Sequence, residues 1–175
     1  PENYHAALGM IISAHHQQQF ARHWGDGTSS SSDGQFFRSS RSRGGASEVN
    51  AKYGNEPGVK LYSQLSDHFA SFGSLVISAT ASEAPYVLDG LVLGAGNLPL
   101  HEHYTDTGGA TDHVFALFHL LGYRFAPRLR DIADRKLGSI ASPSTYKGIE
   151  CLMGRTIKAA AIEADWDDII RIVAS

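Results

Sequence analysis

The sequence is short of the features that usually place a chain at once. It has a single cysteine, Cys151, in 175 residues. No internal disulfide is therefore available, and no thiol-based zinc site can be assembled within one chain. A lone thiol of this kind is expected as a small buried hydrophobe. The chain has no run of about 18 apolar residues to span a bilayer, and no basic stretch followed by an apolar core to mark a signal peptide. A cytoplasmic protein with no membrane partner is the expectation. Positive charge is scarce as well: the formal net charge of −3 disfavours a nucleic-acid partner unless basic residues are concentrated locally. The chain begins at Pro1 without an initiator methionine and ends at Ser175 inside an unfinished helical pattern, which points to a piece of a longer protein.

What is present is an ordinary globular balance, 42% hydrophobic and 19% charged, enough for one domain with a real core. Residues 4–22 place apolar and amide side chains at roughly helical spacing, so a helix is expected there. From Trp24 to Gly58 the texture changes to Gly, Ser and Arg, with only Gln35-Phe36-Phe37 resembling a strand. The part from Arg38 to Gly58 is expected to be a mobile loop. With Lys60 it carries Arg38, Arg41, Arg43 and Lys52 against Glu48 and Glu56, a surplus suited to phosphate contact or to a solvated linker. Val59 to Phe69 and Leu75 to Thr80 are rich in β-branched and aromatic residues and predict an antiparallel strand pair. Ser82 can cap a helix from Glu83, and Leu98 to Thr105 leads into the turn Thr105-Asp106-Thr107-Gly108-Gly109. Thr111 then caps a helix with Val114, Leu117, Phe118 and Leu121 on one side, closed by Gly122. Tyr123 to Ala126 predicts a short strand before Pro127. Beyond Leu129 helices and loops are expected, ending in a helix with Asp165 at its start and Trp166, Ile169, Ile170 and Val173 at helical spacing.

Strand, strand, strand, helix, strand, helix, strand is the outline of an α/β, ribonuclease-H-like fold. Its mixed sheet is antiparallel over the first three strands and parallel afterwards, with helices flanking it. In such a sheet the first and fourth strands are neighbours. Asp33, entering the first, and Asp106, ending the fourth, would then face one pocket about 5 Å apart. Two carboxylates that close invite a cation, and hard oxygen donors favour Mg²⁺ or Mn²⁺. A pair of such ions about 3.5–4 Å apart can activate a water or a 3′ hydroxyl on one side of a phosphate and neutralise the leaving oxygen on the other. The competing account makes Asp33-Gly34 a turn and Asp106 a helix cap.

Longer motifs weigh against the competing account. Trp24 to Gln35 (WGDGTSSSSDGQ), Asn50 to Phe72 (NAKYGNEPGVKLYSQLSDHFASF), Trp166 to Ser175 (WDDIIRIVAS) and above all His103 to Leu137 (HYTDTGGATDHVFALFHLLGYRFAPRLRDIADRKL) resemble the catalytic core of Tn3-family transposases over essentially the whole chain. The resemblance implies a bacterial DDE transposase. In such an enzyme an Asp, Asp, Glu triad binds two Mg²⁺ or Mn²⁺ ions, nicks the transposon 3′ ends and joins them to target DNA in replicative transposition. It implies transposon-end and target DNA as partners and a homodimeric intact protein. Asp106, in the TDT motif, fits the second catalytic and metal-binding acid. Asp33, in SSSDG, fits the first, with Asp26 in WGDG as the alternative. The family's glutamate lies in an Asn-Lys-Gly-Glu segment that does not occur here, and Glu150 and Glu163 do not match it. The chain is thus expected to be a partial catalytic domain spanning 1–175, with an N-terminal helix at 4–22, a core at 24–137 and C-terminal helices at 138–175. It is expected to be inactive alone. The alternative function is a DNA-binding or assembly module left from a truncated transposase.

The remaining charged and metal-binding residue types have two readings each. Arg124, Arg128 and Arg130, with Arg135 and Lys136, outnumber Asp131 and Asp134 and suit a DNA-backbone contact as well as a solvated helix face. Arg38, Arg41 and Arg43 are the other candidate DNA contacts. His101 and His103 share one face of a strand; without a third ligand nearby they are expected as an ordinary strand-end pair. His113 lies in the first turn of its helix, either near the acids or simply on the surface.

Overall fold

A computed structural model of the chain describes residues 2–39, 47–94 and 98–175. It divides into two compact units, Pro1–Arg128 and Leu129–Ser175. The first opens with helix α1 (Glu2–His16), followed by a 3-10 turn at Gln19–His23, so the segment expected as one helix over 4–22 breaks after His16. Strands β1 (Ser29–Arg38), β2 (Glu48–Val49), β3 (Pro57–Ser66) and β4 (Ser71–Ser78) follow. Then come α2 (Tyr86–Gly94), β5 (Glu102–Thr105), a 3-10 turn at Thr107–Gly109, α3 (Asp112–Leu120) and β6 (Arg124–Phe125).

Central strand β1 pairs antiparallel with β3 on one side and parallel with β5 on the other. On β3's other edge lie β4 and the short β2, both antiparallel, while β6 extends β5 in parallel. The three long early strands are thus antiparallel and the later two parallel, in a mixed sheet flanked by helices, as the sequence predicts for the ribonuclease-H-like outline. Of the expected loop from Arg38 to Gly58, residues 40–46, with Arg41 and Arg43, lie outside the described residues. Both flanks are regular, since Arg38 ends β1 and Glu48–Val49 forms β2.

β1 begins earlier than its composition suggests. Four consecutive serines form strand because two of them, Ser30 and Ser32, are buried and hydrogen-bonded to the imidazole of His103 on β5, each at 2.8 Å. Ser32 also bonds the Tyr62 hydroxyl at 2.6 Å. Buried hydroxyls with partners cost little, so tertiary contacts override the turn preference of serine. The apolar core lies under α2 and α3, where Val87, Leu91, Val114 and Phe118 pack with Tyr62, Phe72, Ile77 and Leu100. The Thr111 hydroxyl caps α3 by accepting from the Val114 N–H at 3.3 Å, as its sequence position predicts.

The second unit holds a short parallel pair, β7 (Leu137–Ser139) and β8 (Met153–Thr156), and two helices, α4 (Ala159–Ala164) and α5 (Trp166–Val173). The strand pair is absent from the sequence reading, because three- and four-residue strands leave no periodicity to detect. Asp165 makes no side-chain cap on α5. Cys151 is exposed, not buried as expected: its 3-10 turn at Glu150–Leu152 lies at the surface of this unit, where its carbonyl accepts from Lys136 Nζ at 2.6 Å.

Candidate metal centre

The register between β1 and β5 decides which acids meet. Ser32 lies opposite Thr105 in the parallel ladder, so Asp33 and Asp106 are the next residues on adjoining strands. Their carboxylates converge with that of Glu83, which sits in the turn between β4 and α2. One oxygen from each lies within 4.8 Å of the others, and this is the one such three-ligand cluster among the described residues. Each aspartate also spends an oxygen locally. Asp33 Oδ1 accepts the Gly34 N–H, and Asp106 Oδ1 accepts the Gly108 N–H, both at 2.8 Å. Asp106 thus caps the 3-10 turn that follows it, whereas Asp33-Gly34 lies within β1 and forms no turn; the two bonds hold the carboxylates in place while leaving lone pairs for other partners.

Glu83 is anchored from below. Its Oε1 lies 3.0 Å from Lys60 Nζ, and that ammonium also donates to the Ala81 carbonyl at 2.6 Å. The pair is nearly enclosed, with side-chain exposures of 7% for Lys60 and 11% for Glu83. Lys60 thus belongs to the interior of β3 and not to a solvated basic loop, as its place in the sequence suggests. Three carboxylates and one ammonium leave two negative charges in the cluster, matched by one divalent cation. All the donors are hard oxygens, the set that Mg²⁺ and Mn²⁺ prefer. Ligands of an octahedral ion at 2.0–2.1 Å stand about 3–4.2 Å apart, so small rotations would close this cluster on one ion.

The other candidates divide. Asp26 is not in the cluster. It is fully exposed, with Oδ1 accepting from the Thr28 N–H and hydroxyl, which hold its carboxyl below the usual range. It lines a separate open recess of about 520 Å³ with His16, Arg22 and His68. His103 is fully buried between its two serines, and burial lowers its pKa to about 4; His101 and His113 are exposed. The two histidines therefore form no metal pair. Arg38 is exposed and ion-paired with Glu56 at 3.0 Å, and Arg124 reaches Glu102 at 3.6 Å. Arg128 lies next to the acids in the chain path, its N–H donating to the Thr105 carbonyl at 2.8 Å. Arg130 lies in the second unit. Glu83 is the acid that sequence reasoning passes over: beside Ser82 and Pro85 it looks like a first-turn helix residue, and only the Lys60 pairing reveals its direction.

Sheet and cluster together define a class of domain, in which a mixed sheet brings acidic side chains from neighbouring strands, and from the turn before a helix, within reach of one cation. The chain belongs to the Tn3 transposase DDE domain family, whose model matches residues 1–175. It is 47% identical over 174 residues to the transposase for transposon Tn501 from Pseudomonas aeruginosa, a match covering 99% of this chain and 18% of that protein. The corresponding identity is 43% for the transposase for transposon Tn21 from Escherichia coli, again over 99% of this chain and 18% of that protein. The chain therefore spans about a fifth of the length of these relatives.

Proposed function

We propose that this chain is part of the catalytic core of a DNA transposase, in which Asp33 and Asp106 hold divalent metal ions at the site of strand cleavage and transfer. The observation that carries the reading is the convergence of these two carboxylates from adjoining parallel strands in a chain of this family. Bound Mg²⁺ or Mn²⁺ would supply activation of a water or 3′ hydroxyl and neutralisation of the leaving oxygen. The protein's own work is placement. The Asp33 and Asp106 backbones are fixed by the β1–β5 ladder and by their local hydrogen bonds, so the ligands are ordered before an ion arrives. Exposed Arg38, Arg124 and Arg128, with Arg41, Arg43 and Arg130, would hold DNA phosphates. A third carboxylate, the glutamate of the family's Asn-Lys-Gly-Glu segment, is absent from this sequence, so the chain alone is expected to cut no DNA. In the whole protein, a homodimer acting on transposon ends and target DNA completes the reading.

The test is nicking of a labelled transposon-end duplex with Mn²⁺ by three proteins: this chain, a longer one extended to the downstream glutamate, and the longer one carrying Asp106→Ala. The longer protein is expected to nick. Asp106→Ala should reduce nicking by about 10³-fold or more, since several kcal/mol of transition-state stabilisation go with the ion, while DNA binding persists. Cleavage by the 175-residue chain would show that an acid within it completes the site. Undiminished cleavage by Asp106→Ala would overturn the assignment.

A further inference from the structure

Lys60 and Glu83 form a nearly enclosed ion pair directly beside the two aspartates, and stability alone does not account for it. Desolvating an ammonium and a carboxylate costs as much as their attraction returns, and an apolar pair of similar volume would serve the core at least as well. The surrounding residues make room for this carboxylate in particular. A Cβ on Gly34 would stand 2.5 Å from Glu83 Oε1 and 2.8 Å from its Cδ, so the carboxylate occupies the space that the glycine of Asp33-Gly34 leaves free. A Cβ on Gly108, the residue that holds Asp106 by its N–H, would come within 3.3 Å of Oε2. Oε1 is taken by Lys60. Oε2 is the oxygen left free near Gly108 and Gly34, and one oxygen of Glu83 lies within 4.8 Å of one from each aspartate.

We propose that Glu83 is a third protein ligand to the ion held by Asp33 and Asp106, and that Lys60 is its positioning residue, fixing the carboxylate so that one oxygen faces the metal. The inference rests on the reading of Asp33 and Asp106 as ion ligands. This acid comes from the turn before α2, is distinct from any glutamate downstream, and gives the 175-residue chain a complete seat for one ion, with a second bound only weakly. Lys60 acts through Glu83 and touches no substrate. Its effect therefore has a sign that a simple charge would not have. Removing a cation from beside a metal site strengthens metal binding by Coulomb's law, whereas removing the anchor of a ligand weakens it.

The experiment is Mn²⁺ titration of the chain followed by the loss of the free-ion electron paramagnetic resonance signal, with far-ultraviolet circular dichroism to confirm folding. The unaltered chain is expected to bind one tight equivalent, and Asp106→Asn to lose it. Glu83→Gln should weaken binding by about 10-fold or more, as loss of a charged oxygen ligand does. Lys60→Met should weaken it by about 10–100-fold, the range for residues that orient ligands, although it deletes a positive charge. Lys60→Arg should recover most of the affinity. If Lys60→Met does not fold, Glu83→Gln and Lys60→Arg carry the test. Loss of binding in Asp106→Asn with unchanged binding in Glu83→Gln would overturn this inference alone. Tighter binding in Lys60→Met would overturn the positioning role. Unchanged binding in Asp106→Asn would instead overturn the site assignment beneath both.

Discussion

His103 shows how one side chain can be both structural and pH-sensitive. Its ring is buried between Ser30 and Ser32 and stacked near Phe118 at 5.8 Å, and burial lowers its pKa from 6.5 to about 4. A neutral imidazole offers one donor and one acceptor, matching a hydroxyl on either side. In the unfolded chain the same ring takes a proton near pH 6.5. Between pH 6.5 and about 4 the unfolded state therefore binds the extra proton, so this contribution is fully present above 6.5 and is lost as the pH falls toward 4. The loss amounts to about 3 kcal/mol. Urea denaturation at several pH values should show that slope, and His103→Gln, which cannot titrate, should flatten it.

Strand β3 carries its information inverted. Its buried positions alternate regularly, but they hold Gly58, Lys60, Tyr62, Gln64 and Ser66, while Val59, Leu61 and Leu65 lie on the half-buried face. Hydrophobicity alone would turn the strand over. Inward polar side chains instead find partners: Lys60 has Glu83, Tyr62 has Ser32, and Gln64 donates from Nε2 to the Val87 carbonyl at 3.2 Å, although its Oε1 is left without one. That last bond draws α2 close to the sheet at Gly90, where a Cβ would fall 2.0 Å from the Gln64 amide. Gly90→Ala is expected to destabilise the fold by about 1–3 kcal/mol through overpacking, despite the gain of about 1 kcal/mol that alanine brings to a helix interior. A urea midpoint shift measures it, and Gln64→Ala in the same chain should recover part of the loss. A net gain in stability from Gly90→Ala alone would contradict the close approach.

At the scale of the whole molecule the puzzle is charge. A chain with net charge −3 must gain any DNA affinity from local arginines set against an acidic centre. No helix among the described residues is long and apolar enough to cross a membrane. If exposed Arg124 and Arg128 contact phosphates, changing either to Ala should weaken binding uniformly across duplex sequences. It should also reduce the slope of log K against log salt by about 1. Fluorescence anisotropy with a labelled duplex over a salt series reads both quantities. A slope that stays the same would place the DNA on another face.

By itself the sequence determined the family, through the TDTGG and following residues, along with the strand order, the α3 cap at Thr111 and the two aspartates worth watching. These are local signals, written in contiguous residues with fixed spacing. Tertiary structure alone decided that the serines before Asp33 form strand, that β3 faces inward with its polar side, and that Lys60 lies inside. It also decided that Asp26 stands apart and that Glu83 turns into the acid cluster. Each of these depends on a partner far away in the chain: His103 for the serines, Glu83 for Lys60, and the α2 carbonyls for Gln64. A buried polar group is tolerable only where such a partner waits, and linear periodicity cannot reveal where that is.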